Sequence, residues 1–328
     1  MARVVIIGGS GHVGTYLVPR LVAAGHSVVN VARGTRAPYT PHAAWQAVES
    51  ILLDRDAEES AGTFGTRILE LKPDIVIDMI CFTPASAMHL LTALRGKIQH
   101  FLHCGTIWVH GHAATVPTTE EAARHPFGAY GTQKAAIEAM LLDAARRDGF
   151  PATIVHPGHI VGPGWRPLNP AGHFDPAAFT TLARGERLTL PNFGLETVHH
   201  VHADDVAQVF MQAIARWSAS VGEAFHAVSP QALTLRGYAE AMAAWFGREA
   251  DLAFLPFESW KQKETEENAT ATWEHIARSP SCSIAKAERL LGYRPRYSSL
   301  AAVEEAVTWL IGDGQVTRDP VSSAAGMP

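Results

Sequence analysis

A glycine-rich turn close to the start of the chain constrains the fold more than any other feature. An apolar segment, residues 4–7, runs directly into the sequence GGSGHVG at residues 8–14. Gly8 allows a sharp turn out of a strand, Gly11 allows the backbone to approach a ligand with no Cβ in the way, and Gly14 allows a following helix to pack closely. This spacing is typical of a turn that holds the pyrophosphate of a dinucleotide.

The residues after this turn supply its structural context. Apolar residues at helical spacing follow it, Gly25 ends that helix, and a second strand is predicted over residues 27–32. The segment is therefore a complete β-α-β unit, which makes an ordinary strand-to-helix turn the weaker alternative. The helix N-terminus of such a unit faces the phosphates. We predict cofactor contacts from Gly8, Ser10, Gly11, His12, Val13 and Gly14.

Two arginines at the end of the second predicted strand bear on the choice of dinucleotide. An acidic residue about 20 positions beyond the glycines would bind the ribose 2′-hydroxyl of NAD(H), but the first acidic residue of the chain is Glu49. Arg33 and Arg36 lie in that region instead. Since a guanidinium binds a 2′-phosphate, the sequence favours NADP(H) over NAD(H), with Arg33 as a contact. Two solvated loop arginines are the alternative interpretation.

Composition and charge narrow the class of protein. The formal net charge is −5 and the basic residues do not cluster, which argues against a nucleic-acid partner. The three cysteines lack the spacing of metal ligands and suit a reducing compartment. The first predicted strand leaves no room for a signal peptide, and no apolar run reaches about 18 residues. We therefore expect a soluble cytoplasmic protein without membrane contact.

Strand and helix patterns alternate as far as residue 157. Beyond the first unit, strands are predicted over residues 47–53, 74–80, 100–104 and 152–156, and helices over 84–96 and 129–147. This alternation predicts an α/β fold with a doubly wound parallel sheet. Asp54 follows the strand over 47–53, where the adenine edge of a dinucleotide is expected.

The pattern changes beyond residue 157. Eight glycines and prolines lie within residues 157–172 and predict a long loop at the carboxyl edge of the sheet. Shorter strands and helices of mixed character follow. We predict a dinucleotide-binding domain over residues 1–165, completed by about 195–230, a smaller mixed α/β substrate lobe over 166–194 and 231–315, and a tail over 316–328.

Tyr130 and Lys134 form the pair that points most directly to chemistry. They lie four residues apart at the start of the long predicted helix, so their side chains share one face. A tyrosine hydroxyl has an unperturbed pKa of about 10, but a neighbouring ammonium and an oxidised nicotinamide ring favour the phenolate. Thr106 follows the strand over 100–104, where it could donate a hydrogen bond to the same substrate oxygen. The alternative is an unremarkable surface pair on a helix.

Taken together, these motifs resemble the extended short-chain dehydrogenase/reductase family of the NAD-dependent epimerase/dehydratase type. The resemblance covers essentially the whole chain. It rests on Gly8, Gly11 and Gly14, on Thr106 in CGTIWVHG, on Tyr130 and Lys134 in YGTQK, on HPGHIVGPG at 156–164, on VHADDVA at 201–207, and on the segment 283–300.

The resemblance implies a Rossmann domain, a carboxyl-terminal substrate lobe, and hydride transfer between a nicotinamide and a carbinol carbon of a sugar or sugar-like molecule. It implies that Tyr130 is the acid/base, that Lys134 lowers its pKa and holds the nicotinamide ribose, and that Thr106 orients the substrate hydroxyl. Backbone around Pro157 and His159 would meet the nicotinamide carboxamide. A homodimer through the helix that carries Tyr130 is also implied.

Departures from the family pattern bear on the substrate. Dehydratases of the family follow the threonine with Asp-Glu, whereas Thr106 is followed by Ile107 and Trp108, so dehydration is not expected. Nucleotide-sugar epimerases place an arginine where this chain has Val198, which puts a diphosphate-linked substrate in doubt. His110 replaces a tyrosine of the family pattern.

Three functions are compatible with this sequence. The leading hypothesis is an NAD(P)-dependent epimerase or oxidoreductase that acts on a sugar or sugar nucleotide. An NADPH-dependent reductase of a non-nucleotide ketone is the alternative enzyme. The third is a non-catalytic member of the family, either nucleotide-sensing or RNA-associated, although such members usually lose the Tyr or the Lys.

Side chains near the predicted loop are candidates for substrate contacts. Trp108 and Trp165 flank the region and could stack on a sugar face, with core packing as the alternative. His199 adjoins Val198 and is a third candidate. His200 and His202 share one face of a strand beside two aspartates, but a strand-to-helix junction explains them, and we predict no metal site.

Overall fold

A seven-stranded parallel sheet forms the centre of the computed structural model, which describes residues 1–318. Its strands follow the order β11-β6-β5-β4-β1-β2-β3, and neighbouring strands are parallel throughout. The predicted α/β fold with a doubly wound parallel sheet is confirmed. The strands are β1 (Arg3–Ile7), β2 (Ser27–Ala32), β3 (Glu49–Leu52), β4 (Ile75–Asp78), β5 (His100–Cys104), β6 (Ala152–Pro157), β7 (His159–Val161), β8 (Leu188–Pro191), β9 (Thr197–Val198), β10 (His200–His202), β11 (Ala224–Ala227), β12 (Leu233–Thr234) and β13 (Leu252–Leu255).

Helices cover both faces of this sheet and build the smaller lobe. Three short 3-10 turns lie between them within residues 1–318, at Ala43–Ala47, Ile107–His110 and Lys261–Lys263. The helices are α1 (His12–Ala23), α2 (Arg55–Ser60), α3 (Phe64–Glu70), α4 (Pro84–Leu94), α5 (Gly128–Asp148), α6 (Ala177–Arg184), α7 (Ala203–Ala215), α8 (Trp217–Ser220), α9 (Leu235–Trp245), α10 (Phe257–Trp260), α11 (Glu266–Ile276), α12 (Ala285–Leu291) and α13 (Ser299–Gly312).

The first strand shows why the sheet is covered on both sides. Val4 and Ile6 belong to an apolar core that includes residues of α1 and α7. Val5 and Ile7 belong to a second core, with residues of α3, α4 and α5. Successive side chains of a strand point to opposite faces, so a strand that is apolar throughout must be buried on both faces.

A third apolar core holds the smaller lobe together. Helices α6, α9 and α13 contribute Leu182, Tyr238 and Val303 to it. Two strand pairs lie beside these helices, β8 with β13 in parallel and β9 with β12 antiparallel. The pair β7–β10 is parallel and connects the long loop to the segment that leads into α7.

Two parts of the predicted division into lobes differ from the structure. Helix α12 lies inside the predicted substrate lobe, but Ala287 and Leu291 pack into the same core as α1 and α7. Val316, at the start of the predicted tail, is only 2% exposed and packs in the smaller lobe. Residues 319–328 of that tail lie outside the described residues.

Several elements were not predicted from the sequence, among them β7 and α2. The strand β7 interrupts the predicted long loop, but three residues are too few to show a period. The helix α2 has the sequence RDAEES, which has no apolar stripe. It begins because the Asp54 carboxylate accepts a hydrogen bond from the Ala57 N–H at 3.2 Å.

Within residues 1–318, no helix is both long enough and apolar enough to cross a membrane.

Burial of histidine makes the stability of the fold sensitive to acid. Eleven of the 17 histidines have a pKa below the usual 6.5, and in each case burial, which disfavours the charged imidazolium, is the largest cause. They are His12, His100, His103, His110, His159, His173, His199, His200, His202, His226 and His275.

We predict that the thermal midpoint stays level above pH 6.5 and falls as the pH is lowered towards 4. In that window the unfolded chain takes up protons that the folded protein excludes, which costs up to about 1.4 kcal/mol per pH unit for each histidine. Calorimetry across this pH range measures the effect. Replacement of the exposed His125 by Gln leaves the slope unchanged, and a midpoint independent of pH between 6.5 and 4.5 would contradict the prediction.

Candidate active site

The glycine turn lies at the carboxyl end of β1, directly before α1. Gly8 has φ +84°, a conformation that favours glycine, and its N–H donates to the Val31 carbonyl at 2.9 Å. A Cβ on Gly14 would overlap the backbone of Gly9, so this glycine allows α1 to pack on the turn itself. A Cβ on Gly11 would meet only the Gly8 carbonyl oxygen, at 3.4 Å, which leaves its open side free for a ligand.

Five of the eleven predicted cofactor contacts line one cavity beside this turn. The cavity is about 320 Å³ and its lining includes Gly8, Ser10, Gly11, Arg33 and Asp54. It opens at the carboxyl ends of β1, β2 and β3, where the topology of such a sheet leaves a crevice. The turn without Cβ atoms and the adjoining crevice fit a dinucleotide.

Two arginines line this cavity after the end of β2. The exposed Arg33 side chain makes no hydrogen bond or ion pair with any residue of the described part of the chain. Arg36 also lines the cavity, but its guanidinium donates to the Tyr39 hydroxyl at 2.8 Å. Arg33 is therefore the guanidinium that is free to meet a 2′-phosphate.

Two predicted cofactor contacts have their side chains elsewhere. The His12 ring stacks on Trp165 with centroids 4.2 Å apart, and its Nε2 lies 3.3 Å from the Pro163 carbonyl oxygen. The Val13 side chain is buried in the core. Both residues stand in the first turn of α1, where backbone N–H groups point outward, so they retain only backbone groups for a phosphate.

A buried ion pair lies beside the same cavity. The Arg55 guanidinium donates to the Asp78 carboxylate at 2.8 Å and to the Glu59 carboxylate at 2.6 Å. Both Arg55 and Asp78 are buried. The sequence did not predict this pairing, because Asp78 is 23 residues away from Arg55 and belongs to β4.

Tyr130 and Lys134 lie on one face of α5, as their spacing predicts. Lys134 is 2% exposed, and its ammonium donates to the Cys104 carbonyl at 2.7 Å, at the end of β5. The Lys134 nitrogen is 5.9 Å from the centre of the Tyr130 ring. Thr106 follows Cys104 and hydrogen-bonds the tyrosine hydroxyl. The structure thus brings the three predicted catalytic side chains together.

Burial acts on the protonation state of Tyr130, while the phenolate expected beside an oxidised nicotinamide stays a prediction. Tyr130 is 42% exposed to the open cavity, yet burial of its surroundings raises the pKa of its hydroxyl to about 12. The hydrogen bond from Thr106 opposes this rise. Burial also lowers the pKa of Lys134. The raised pKa keeps the Tyr130 hydroxyl protonated at neutral pH, so it can act as a proton donor only towards a stronger base such as an alkoxide.

The threonine is positioned by a buried chain of polar groups that sequence reasoning missed. The Thr106 N–H donates to His156 Nδ1 at 3.0 Å, and His156 Nε2 lies 3.0 Å from Glu138 Oε1. Arg124 donates to both oxygens of the same carboxylate, at 2.7 and 3.0 Å. Burial alone would raise the pKa of Glu138, but His156 and Arg124 outweigh it and hold the pKa well below its usual range.

A second cavity, of about 570 Å³, lies on the other side of Tyr130. We call it the substrate cavity. Trp108 and Trp165, the predicted substrate contacts, line it, and so do Pro157 and His159, which the resemblance placed beside the nicotinamide carboxamide. Further apolar walls come from Met79, Phe82, Ile107, Ile160, Leu168 and Phe174. Helix α11 adds Ala271, Glu274 and His275, none of which carried a signal in the sequence.

His199 does not reach the substrate cavity, which corrects the prediction made for it. It is fully buried; its Nε2 lies 2.8 Å from the Ser229 carbonyl oxygen, and its Nδ1 accepts from the Cys282 N–H at 3.1 Å. Both ring nitrogens are thus used by backbone. His199 lies between β9 and β10 and bonds to the segment before α12. It therefore has no ring nitrogen left to bind a substrate.

One group of potential metal ligands lies in the described residues. Asp78, Cys81 and His103 are buried, and one ligand atom of each lies within 4.8 Å of the others. Arg55 binds the carboxylate of Asp78, and the charge of Lys134 acts on both Cys81 and His103. The positive charges of Arg55 and Lys134 disfavour a metal cation beside these three residues. The absence of a metal site remains a prediction.

The turn, the acid/base pair and the cavities agree with a comparison across protein families. The model of the NAD dependent epimerase/dehydratase family matches residues 4–227, more than half of the chain. The chain belongs to this family. It is accordingly an NAD(P)-dependent enzyme of the epimerase and oxidoreductase type.

Curated relatives cover much of the chain. A 2′-dehydrokanamycin reductase of Streptomyces kanamyceticus is 28% identical over 96% of this chain and 86% of its own length. A chloroplast stem-loop binding protein of 41 kDa from Arabidopsis thaliana is 22% identical over 97% and 81%. A UDP-glucose 4-epimerase of Streptomyces lividans is 25% identical over 65% and 72%.

Solved structures share the fold. A UDP-glucose 4-epimerase of Thermotoga maritima, determined with UDP-glucose, has a TM-score of 0.72 at 19% identity and covers 95% of this chain and 99% of that one. A dTDP-glucose 4,6-dehydratase of Bacillus anthracis in complex with NAD has a TM-score of 0.72 at 16% identity, covering 96% and 98%.

The turn glycines provide a matched pair of variants. We predict that Gly14→Ala lowers the free energy of unfolding by about 3 kcal/mol, because its Cβ would overlap the Gly9 backbone. Gly11→Ala should fold within about 0.5 kcal/mol of the wild type but bind NADPH at least about tenfold more weakly, since its Cβ enters the cavity. Urea denaturation and NADPH titration measure the two effects, and the reverse order of stabilities would refute this interpretation.

Proposed function

We propose that this enzyme is an NADP(H)-dependent oxidoreductase that interconverts a ketone and a carbinol on a sugar-like molecule that carries no nucleotide. The composition of the substrate cavity carries the proposal. Among residues 1–318, Lys134 is the only Lys or Arg in its lining, and its ammonium is held by the Cys104 carbonyl. Nothing in the lining is then free to bind a diphosphate in the bidentate manner of an arginine.

The comparisons support this choice over a sugar-nucleotide epimerase. The reductase relative is similar over almost the whole chain, including the smaller lobe, whereas the UDP-glucose 4-epimerase relative matches 65% of it. The solved epimerase structures are similar in fold only. Val198, at the place of the diphosphate-binding arginine of epimerases, is fully buried in the core of the smaller lobe.

The geometry suggests how the chain's own residues act. A bound nicotinamide supplies the hydride in the direction of reduction. Tyr130, a neutral phenol with a raised pKa, gives its proton to the oxygen of the carbonyl as that oxygen becomes an alkoxide. Thr106 hydrogen-bonds the tyrosine hydroxyl and orients the same oxygen. The Lys134 ammonium stabilises the phenolate that remains.

The same proposal covers the cofactor. Arg33 favours NADP(H) because its guanidinium is unpaired and lies at the ribose end of the cavity beside the glycine turn. Lys134, together with backbone at Pro157 and His159, would hold the nicotinamide half, and Asp54 the adenine edge.

Other properties belong to the same proposal. A homodimer through α5 is supported by small exposed residues such as Ala136 and Ala139 on its outer face. Cytoplasmic location is supported by three cysteines that are buried and unpaired. The stem-loop binding relative raises the possibility of an RNA partner, but retention of Tyr130 and Lys134 and a net charge of −5 support catalysis instead.

Removal of the tyrosine hydroxyl tests the assignment of the acid. We predict that Tyr130→Phe lowers kcat by about 10²- to 10⁴-fold, because no other proton donor replaces it. The NADPH dissociation constant should stay within about twofold. Oxidation of NADPH in the presence of sugar-like ketones is the assay. Turnover that survives the substitution would refute the role of Tyr130.

A second variant tests the cofactor preference. We predict that Arg33→Ala weakens NADPH binding about tenfold and leaves NADH binding within about twofold, since only NADPH carries the 2′-phosphate. Fluorescence titration with both cofactors measures this difference. Arg67→Ala, an exposed arginine that does not line the cavity, serves as the control. Equal losses for both cofactors would contradict the assignment.

A further inference from the structure

The charge inside the substrate cavity depends on one carboxylate. Among residues 1–318, the lining includes one lysine, Lys134, and one acidic residue, Glu274. Lys134 is buried and bonded to the Cys104 carbonyl. His159 and His275 also line the cavity, but burial lowers the pKa of His159 well below its usual value and that of His275 to about 4. Both rings are therefore neutral at neutral pH.

Glu274 presents its carboxylate without a protein partner. It lies near the end of α11, partly exposed, and its side chain makes no hydrogen bond or ion pair within the described part of the chain. Its Oε1 is 3.8 Å from the position that a Cβ on Gly128 would take, so the carboxylate stands beside the first turn of α5, two residues before Tyr130. A carboxylate placed there is within the same cavity as the reacting groups.

The nearest cation is committed elsewhere. The Arg278 guanidinium lies 3.7 Å from the centre of the Trp108 ring and 3.9 Å from that of Phe127. It donates to the backbone carbonyls of Glu274 and Phe127, at 2.6 and 2.7 Å. Burial lowers its pKa to about 10, so it stays charged at neutral pH. Arg278 thus packs against Trp108 and makes no ion pair with the Glu274 carboxylate, although the carboxylate is close enough to act on the charge of the guanidinium.

The remaining walls suit a ring that carries an amine. Aromatic faces pack against the C–H faces of a sugar ring and attract a cation through their negative π face. Trp108 meets Tyr130 edge to face at 5.7 Å and His275 at 5.2 Å, so this aromatic wall extends from the acid/base to α11. A substrate carbinol at Tyr130 would then direct another part of its ring towards Glu274.

We propose that Glu274 is a specificity-determining residue that binds a protonated amine on the substrate, which makes the substrate class an amino sugar or a related amino alcohol ring without phosphate. The proposal rests on the function proposed above, because it assigns a substrate class to the same site. A charge-assisted hydrogen bond of this kind discriminates the amine from a hydroxyl of the same size.

The test compares two probes that differ in charge. Binding of methyl glucosaminide, which carries an amine, and methyl glucoside, which carries a hydroxyl in its place, is measured by calorimetry on the NADPH-saturated full-length protein. We expect the amine to bind about tenfold more tightly to the wild type. E274Q should abolish this preference, and E267Q, a change of an exposed acid on the same helix, should preserve it.

The outcomes separate this proposal from the one on which it rests. Equal binding of the two probes by the wild type, no binding of the amine, or a preference that survives in E274Q would each overturn the role of Glu274. NADPH affinity of E274Q within about twofold of wild type shows that the variant is folded. Failure of the proposed oxidoreductase function would show instead as NADPH oxidation that is insensitive to Tyr130→Phe, whatever the amine preference.

Discussion

The rest of the site depends on the buried carboxylate of Glu138. It extends from α5 towards the sheet, where His156 and Arg124 bind it. A buried carboxylate without partners costs several kcal/mol, so these bonds fix the position of α5 on the sheet. His156 then uses its second nitrogen to hold the Thr106 N–H. One interaction in the interior thereby sets where the acid/base helix meets the carboxyl end of β5.

The sheet topology divides the binding work between two cavities at one edge. Strands β1, β2 and β3 lead into the cavity with the glycine turn and its arginines, and β5 and β6 lead into the aromatic substrate cavity. Charge follows the same division. The unpaired guanidinium of Arg33 lies where a phosphate is expected, whereas among residues 1–318 the acidic residue in the lining of the substrate cavity is Glu274. The two cavities meet at Phe82, which lines both, so a dinucleotide in the first can present its reactive end to the second.

Burial gives many polar side chains a structural role. His199 shows this, since its ring bonds two backbone groups in the interior and leaves nothing for a ligand. His110 and His226 similarly bond each other at 2.8 Å, and neither lines the substrate cavity. The abundance of histidine thus reflects a packed interior of neutral imidazoles, and a histidine near the sheet edge in sequence need not be functional.

The sequence by itself determined the parallel sheet, the glycine turn and the Tyr130–Lys134 pair, because each depends on a local pattern along the chain: short continuous apolar runs for buried strands, glycine for φ above zero, and a spacing of four residues for one face of a helix. Only the tertiary structure decided that Glu138 and His156 support Thr106, that His199 is closed off, and that α11 brings Glu274 to the cavity. These contacts join residues from separate elements. The periodicity within one element does not indicate which side chains of another element it will contact. Tertiary packing therefore decided which ionisable side chains are buried and which groups they contact, and hence what chemistry they can perform.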